Sequence, residues 1–200
     1  MGARSYKSII KYLDQLEGAI VEIGSERGEG STSFFAGAMI NRPQFDFYTV
    51  DIDQHQFEYA NSYTKLLPNV HAYHMKGEDF LRDIFPEFNK QICYAYLDNF
   101  DWCWDHEELK PHIQEQLPNY EKFGLKVTNE NSQLAHLEQT KSLIPHVADR
   151  CLIQFDDTWI HNWKFDGKGG LAVPWLVEQG WNPVVDSTQN DSILVTNFTL

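Results

Sequence analysis

The sequence predicts an α/β fold, a single domain on a doubly wound and mostly parallel sheet, and three observations carry that prediction. Short apolar and β-branched runs alternate with helical patterns from residue 19 onward. The run at 19–23 empties into a turn holding Gly24, Gly28 and Gly30. Acids close the later runs at Asp51, Asp98 and Asp156–Asp157. In an open parallel sheet ligands bind beyond the carboxyl ends of the strands, so the glycines and acids should share one rim.

Taken in order, residues 5–17 place Ile9, Ile10, Leu13 and Leu16 on one helical stripe that Gly18 ends. The strand at 19–23 and its turn lead to a helix over Ser31–Met39, with Ser31 and Thr32 in the first turn. Phe45–Val50 is an aromatic and β-branched strand that delivers Asp51 at its end. A helix over Gln54–Leu67, closed by Pro68, a strand over Val70–His74 and a helix over Glu78–Phe88 complete a βαβαβ half. Ile92–Leu97 is nearly all apolar, as a strand buried on both faces should be, and runs into Asp98–Asn99. More than a crossover helix then separates it from the next strand, so an insertion or lid is expected at about 100–128, with a helix near 105–118 and the crossover helix near 130–147. Cys151–Phe155 is the fifth strand, Leu171–Gln179 a helix stopped by Gly180, and Asn182–Asp186 with Ile193–Asn197 a closing hairpin.

Composition narrows the function. A chain of 200 residues with 42% apolar and 14% aromatic content supports one well-buried core. A formal charge of −13 and a pI near 4.9 argue against nucleic acid and against an anionic membrane surface, both of which attract clustered Lys and Arg. No apolar stretch has the length of a signal peptide or a membrane span, so a soluble, cytoplasmic protein is expected. Cys93, Cys103 and Cys151 form no Cys-x-x-Cys pair and suit reduced thiols.

The stretch Glu22-Ile-Gly24-Ser25-Glu-Arg-Gly28-Glu-Gly30-Ser31-Thr32 does not fit the Gly-x-Gly-x-x-Gly spacing of dinucleotide sites. It resembles the first motif of class I S-adenosylmethionine-dependent methyltransferases, in the Glu-x-Gly-x-x-x-Gly form of small-molecule O-methyltransferases. The resemblance implies a Rossmann-like sheet of seven strands with an antiparallel last strand. It implies S-adenosylmethionine held by Glu22, Gly24, Ser25, Gly28, Gly30, Ser31 and Thr32, ribose hydroxyls on Asp51, adenine near Gly77, Glu78 and Asp79, and Asp98 beside the donor. First-turn acids also compensate a helix dipole, and both readings of Glu78 and Asp79 stay open.

Asp98, Asp156 and Asp157 close neighbouring strands, and a set of hard oxygens with no Cys or paired His favours Mg²⁺ or another divalent cation over zinc. The pattern resembles metal-dependent O-methyltransferases of the catechol type, and Asp-Asp-Thr with its later Gly-Lys-Gly is similar to the branch acting on sugars and antibiotics. That resemblance implies methylation of a small-molecule hydroxyl, whether sugar, phenol or related. Catechol-type enzymes carry a lysine base three residues after the first metal acid, and here that position is Asp101. Asp101 is the candidate base, His161 its rival, and Trp102, Trp104, Trp159 and Trp163 a candidate aromatic wall. A metal-independent N- or O-methyltransferase and an inactive nucleoside-binding module remain as alternatives, and one copy or a homodimer are equally open.

Overall fold

The computed structural model describes residues 5–25, 30–103, 111–184 and 191–200, with His112 given by its backbone only. Among the described residues nine strands form in chain order: β1 (Ala19–Ile23), β2 (Asp46–Asp51), β3 (Val70–His74), β4 (Ile92–Leu97), β5 (Val147–Asp156), β6 (Thr158–His161), β7 (Lys164–Gly167), β8 (Asn182–Val184) and β9 (Ser192–Thr196). Seven make one sheet in the order β3-β2-β1-β4-β5-β9-β8. The first five run parallel, and β9 lies antiparallel between β5 and β8. Pro183, which has no N–H for a ladder, sits in the edge strand β8.

The sheet is buried on both faces because its central strands carry apolar side chains at nearly every position, Glu22 in β1 being a buried exception. All five residues of β1 and all six of β4 are buried. On one face Ile20, Phe47, Tyr94 and Tyr96 pack with Phe35 and Met39 of α1 (Ser31–Met39) and with Tyr6, Ile9 and Leu13 of the N-terminal segment. On the other, Val21, Ile23, Tyr48 and Ile153 pack with Phe80 and Phe85, with Leu143 of α5 (Asn129–Leu143) and with Val173 and Leu176 of α6 (Ala172–Glu178). The helix α2 (Gln54–Thr64) starts at Asp53, whose carboxylate caps the N–H groups of His55 and Gln56. No helix among the described residues is long and apolar enough to cross a membrane.

Several elements differ from the expectation. The expected helix at 5–17 is two 3-10 segments, Ser5–Lys11 and Leu13–Gln15. In a 3-10 helix side chains at i and i+3 eclipse. That aligns Ser5 with Ser8, which donate to Asp156 Oδ1 at 2.8 Å and Gln154 Oε1 at 3.0 Å on β5, and aligns Tyr6 with Ile9 in the core. Ile10, expected on the stripe, is left exposed. The expected helix at 78–88 begins as α3 (Gly77–Asp79), widens to a π turn at Phe80–Ile84 and tightens to 3-10 at Phe85–Phe88, where Pro86 removes a donor. Pro145 likewise ends α5 at Leu143, and the chain enters β5 through a 3-10 turn at Ile144–His146. The helix expected near 105–118 is described only as α4 (Pro111–Lys122); residues 104–110, Trp104 among them, lie outside the described residues.

The hairpin of β6 and β7 was not expected. Its turn, Asn162-Trp163, has φ of 48° and 64°, the two left-handed residues that match the strand twist in a two-residue hairpin. The sequence signal was an Asn-x pair between Thr-Trp-Ile-His and Lys-Phe-Asp-Gly.

Candidate functional site

At the carboxyl rim the chain turns at Gly24, with φ of 95°, and its N–H donates to Val50 O at 2.8 Å. A Cβ there would lie 2.5 Å from Asn99 N, so only glycine lets the end of β4 close on this turn. The same contact brings Asp98 and Asn99 beside Ser25.

Glu22, fully buried in β1, accepts from Thr32 Oγ1 at 2.7 Å and Thr49 Oγ1 at 2.6 Å. It therefore ties the first turn of α1 to β2. Thr49 spends its one hydrogen on Glu22, so the 2.7 Å bond between Ser25 Oγ and Thr49 Oγ1 is donated by Ser25. Asp51 accepts from the N–H groups of Ser25 and Asp53, each at 2.7 Å, one on each carboxylate oxygen. Gly30, with φ of 96°, caps α1, and Ser31 and Thr32 are buried in its first turn. Gly28 lies outside the described residues.

Two adjoining hollows follow this rim. One, of about 50 Å³, is lined by Gly24, Ser25, Asp51, Asp98, Asn99 and Tyr120. The other, of about 380 Å³, continues along Gly77, Glu78 and Phe100 to α5. Glu78 lines the second hollow and accepts weakly from Gln139 at 3.4 Å, whereas Asp79 pairs with Arg82 at 2.7 Å on the surface. Asn99 Oδ1 is buried with no hydrogen-bond partner among the described residues. From α4, Gln116 and Tyr120 line the smaller hollow, and Asn119 donates to Asp53.

Asp98, Asp156 and Asp157 converge, offering oxygens within 4.8 Å of one another. A lysine that sequence reasoning passed over stands among them. Lys168 Nζ donates to Asp98 Oδ1 at 2.7 Å and lies 3.1 Å from Asp157 Oδ2, with its side chain 4% exposed. Burial alone would lower its pKa, but Asp98, Asp157 and Asp156 outweigh that and raise it, so Lys168 stays an ammonium. Burial, reinforced by Asp98 and Asp157, pushes the Asp156 carboxyl well above the usual range, while Ser5 Oγ–H donates to it. The signal was Gly-Lys-Gly-Gly after an acid pair, which reads as loop until the fold closes it.

Asp157 has φ of 43° and Phe100 of 61°, left-handed values that L residues adopt at a cost of roughly 1–2 kcal/mol each. Both sit where a strand end turns into the site. The turn after Phe100 is clamped by Asn129, whose side chain accepts from Cys103 N and donates to Cys103 O, both at 2.7 Å. Asp101 is buried; its N–H donates to Tyr120 OH at 2.8 Å and its carboxylate accepts from that hydroxyl at 3.1 Å.

His161 is not brought to the carboxylates. It is exposed at the end of β6, opposite Lys164. Of the expected aromatic wall, Trp102 and Trp159 meet edge to face at 5.8 Å, while Trp163 stands 98% exposed at the hairpin tip. His136 is fully buried on α5: its Nδ1–H donates to Ser132 O at 2.7 Å, leaving Nε2 unprotonated and without a partner among the described residues. Burial, with the Lys168 charge behind it, lowers its pKa to about 3.

No protein-family model matches this chain, and no curated protein does. Solved structures do. A methyltransferase from Geobacter sulfurreducens is similar over 100% of this chain and 80% of its own, with a TM-score of 0.56 at 9% identity. A putative rRNA-methylase from Clostridium thermocellum is similar over 96% and 94%, with a TM-score of 0.55 at 9% identity. A SAM-dependent methyltransferase from Aquifex aeolicus is similar over 96% and 87%, with a TM-score of 0.50 at 12% identity. At such identities the likeness defines the fold, the Rossmann-like methyltransferase fold with antiparallel pairing at its last strands.

Proposed function

We propose that this chain is an S-adenosylmethionine-dependent methyltransferase that acts on a hydroxyl of a small molecule. The observation that carries the reading is the network at the rim: Glu22, Ser25, Thr49 and Asp51 lock the glycine turn beside a hollow whose far wall is Asn99, Gly77 and Glu78. Asp51 closes β2, lines the smaller hollow and binds backbone N–H groups of the glycine turn and of the start of α2, a placement that suits a carboxylate meeting ribose hydroxyls. Gly77 and Glu78 line the larger hollow where an adenine would lie.

The bound donor would supply a methyl group on a sulfonium and leave as S-adenosylhomocysteine. The chain's own residues hold the reactants, exclude water through α4 and manage one proton. Asp101 is the group we assign to take the acceptor's proton, because its buried carboxylate accepts from the hydroxyl of Tyr120, which lines the smaller hollow. His161 would need to reach in from the hairpin. Positioning supplies the rest of the rate.

Three convergent carboxylates are the right donor set in kind for a divalent ion. Two of them, however, are turned on the Lys168 ammonium, so the residues present fit an internal cation better than a metal, and no step is routed through one. This favours the metal-independent form of the reaction. The net charge of −13 disfavours the RNA substrate named for the Clostridium structure. Free Cys93, Cys103 and Cys151 support a reducing, cytoplasmic setting.

The test is calorimetric titration of S-adenosylhomocysteine, followed by an assay of its release with a panel of phenols and sugars. Absence of binding at millimolar ligand refutes the reading. Turnover on nitrogen acceptors alone refutes the hydroxyl assignment.

A further inference from the structure

We propose that Lys168 is the resident cation of this site: its ammonium holds the carboxylates at the ends of β4 and β5 in register, and the protein binds its ligands without a divalent ion. The role of the ligands rests on the function proposed above; the role of Lys168 does not.

The lysine is threaded into place by its own backbone. Its N–H donates to Asp157 O at 2.9 Å, and the next N–H, of Gly169, donates to Thr158 Oγ1 at 2.8 Å. Gly167, with φ of 82°, passes so close that a Cβ would strike Asp157 O and the Trp159 ring. A Cβ on Gly169 would lie 2.9 Å from Thr158 Cγ2 and 3.1 Å from Phe155 Cβ. From above, Gln133 on α5 donates to Gly167 O at 3.0 Å. The segment is thus pressed onto the end of β5, and the side chain has one direction to take, toward Asp98.

At the tip the geometry is that of an ammonium among acceptors. Nζ has Asp98 Oδ1 at 2.7 Å, Asp157 Oδ2 at 3.1 Å and Asp98 O at 3.5 Å. Asp98 Oδ2 accepts from Tyr96 OH at 3.3 Å, and Asp156 Oδ1 from Ser5 at 2.8 Å. Each acid therefore has a donor supplied by the chain itself. Removing one partner of a buried ion pair leaves an uncompensated charge, so taking away the ammonium should leave a vacancy that an external cation fills. Three ionised acids against one ammonium would still leave two negative charges, enough for a divalent ion beside Lys168, and the experiment separates that arrangement from ours.

Mn²⁺ is titrated into the intact protein near neutral pH and its free signal followed by electron paramagnetic resonance. Wild type is expected to leave Mn²⁺ free up to millimolar concentrations, and Lys168→Met to bind one equivalent tighter by on the order of a hundredfold. Lys168→Arg, which keeps a cation, should restore the indifference to metal, a rescue that a merely space-filling role would not produce. Lys168→Gln stands in should Lys168→Met not fold. Stoichiometric Mn²⁺ binding by wild type that is lost in Asp157→Asn overturns the proposal, and so does a folded Lys168 variant with no gain. In parallel, S-adenosylhomocysteine is titrated with and without EDTA. Equal affinity in both supports the proposal, and loss on chelation overturns it. Absence of binding in both sinks the donor reading and leaves the Mn²⁺ result to decide Lys168 by itself.

Discussion

Gly24→Ala is the sharpest perturbation of the rim, because its consequences for stability and for ligand binding come from the same atoms. At φ of 95° the added Cβ meets Asn99 N at 2.5 Å, Asn99 Cα at 2.7 Å and Asp98 C at 2.7 Å. These are backbone atoms, so no rotamer change relieves the contact. The left-handed conformation costs an L residue about 1–2 kcal/mol, and forcing packed backbone apart adds about 1–3 kcal/mol. The sum, roughly 2–5 kcal/mol, is a large share of a typical domain's stability of about 5–15 kcal/mol. Relief requires the ends of β1 and β4 to part, which moves Asp98 and Asn99 away from Ser25. Urea unfolding followed by tryptophan fluorescence reads the first effect, and calorimetry with S-adenosylhomocysteine the second. Gly37→Ala is the control: it lies in α1 with nothing within 4 Å of its added Cβ, and should stabilise by about 0.5–1 kcal/mol. A Gly24→Ala protein within about 1 kcal/mol of wild type, with unaltered affinity, would refute this account of the rim.

The other expected outcomes are separable. Asp51→Ala removes the acceptor shared by Ser25 N and Asp53 N, and should weaken S-adenosylhomocysteine binding about 10–100-fold by calorimetry, as loss of charge-assisted hydrogen bonds does. Asp101→Asn should lower kcat by about 10²–10⁴-fold with little change in donor affinity, while His161→Ala leaves kcat near wild type; the reverse pattern in steady-state kinetics transfers the base to the hairpin. His136 gives a pH prediction. Burial lowers its pKa from 6.5 to about 3, so between those values the unfolded chain binds a proton that the folded one refuses. Stability is whole above pH 6.5 and falls as pH drops toward 3, by at most about 5 kcal/mol from this group. His136→Phe should flatten the acid limb of a urea-midpoint profile against pH, and an unchanged limb contradicts the assignment.

What the amino-acid order determined by itself is the set of features that neighbours along the chain decide. The run Ile92–Leu97, and Ala19–Ile23 interrupted only by Glu22, make buried strands, and the glycine and the acid after them arrive at one rim because parallel strands all end on the same side. Gly24 and Asp51 were legible for that reason. Pattern served less well where competing local geometries differ by little. Residues 5–17 satisfy a 3.6-residue stripe nearly as well as the 3-10 spacing they adopt, and the choice fell to Ser5 and Ser8 reaching β5. Tyr120, on α4, was invisible as a partner of Asp101, since nothing local links residues nineteen apart.

The largest thing that only the tertiary structure decided is that a lysine stands among the acids. Asp98 and Lys168 lie 70 positions apart, and a bare acid pair followed by Gly-Lys-Gly-Gly is equally compatible with a metal, a solvated loop or a buried ion pair. Electrostatic partnership depends on distance and on exclusion of water, and both are properties of the closed fold. The glycines that press the backbone onto β5, and the α5 helix that seals it, turn a lysine that reads as surface into the charge around which the site is arranged.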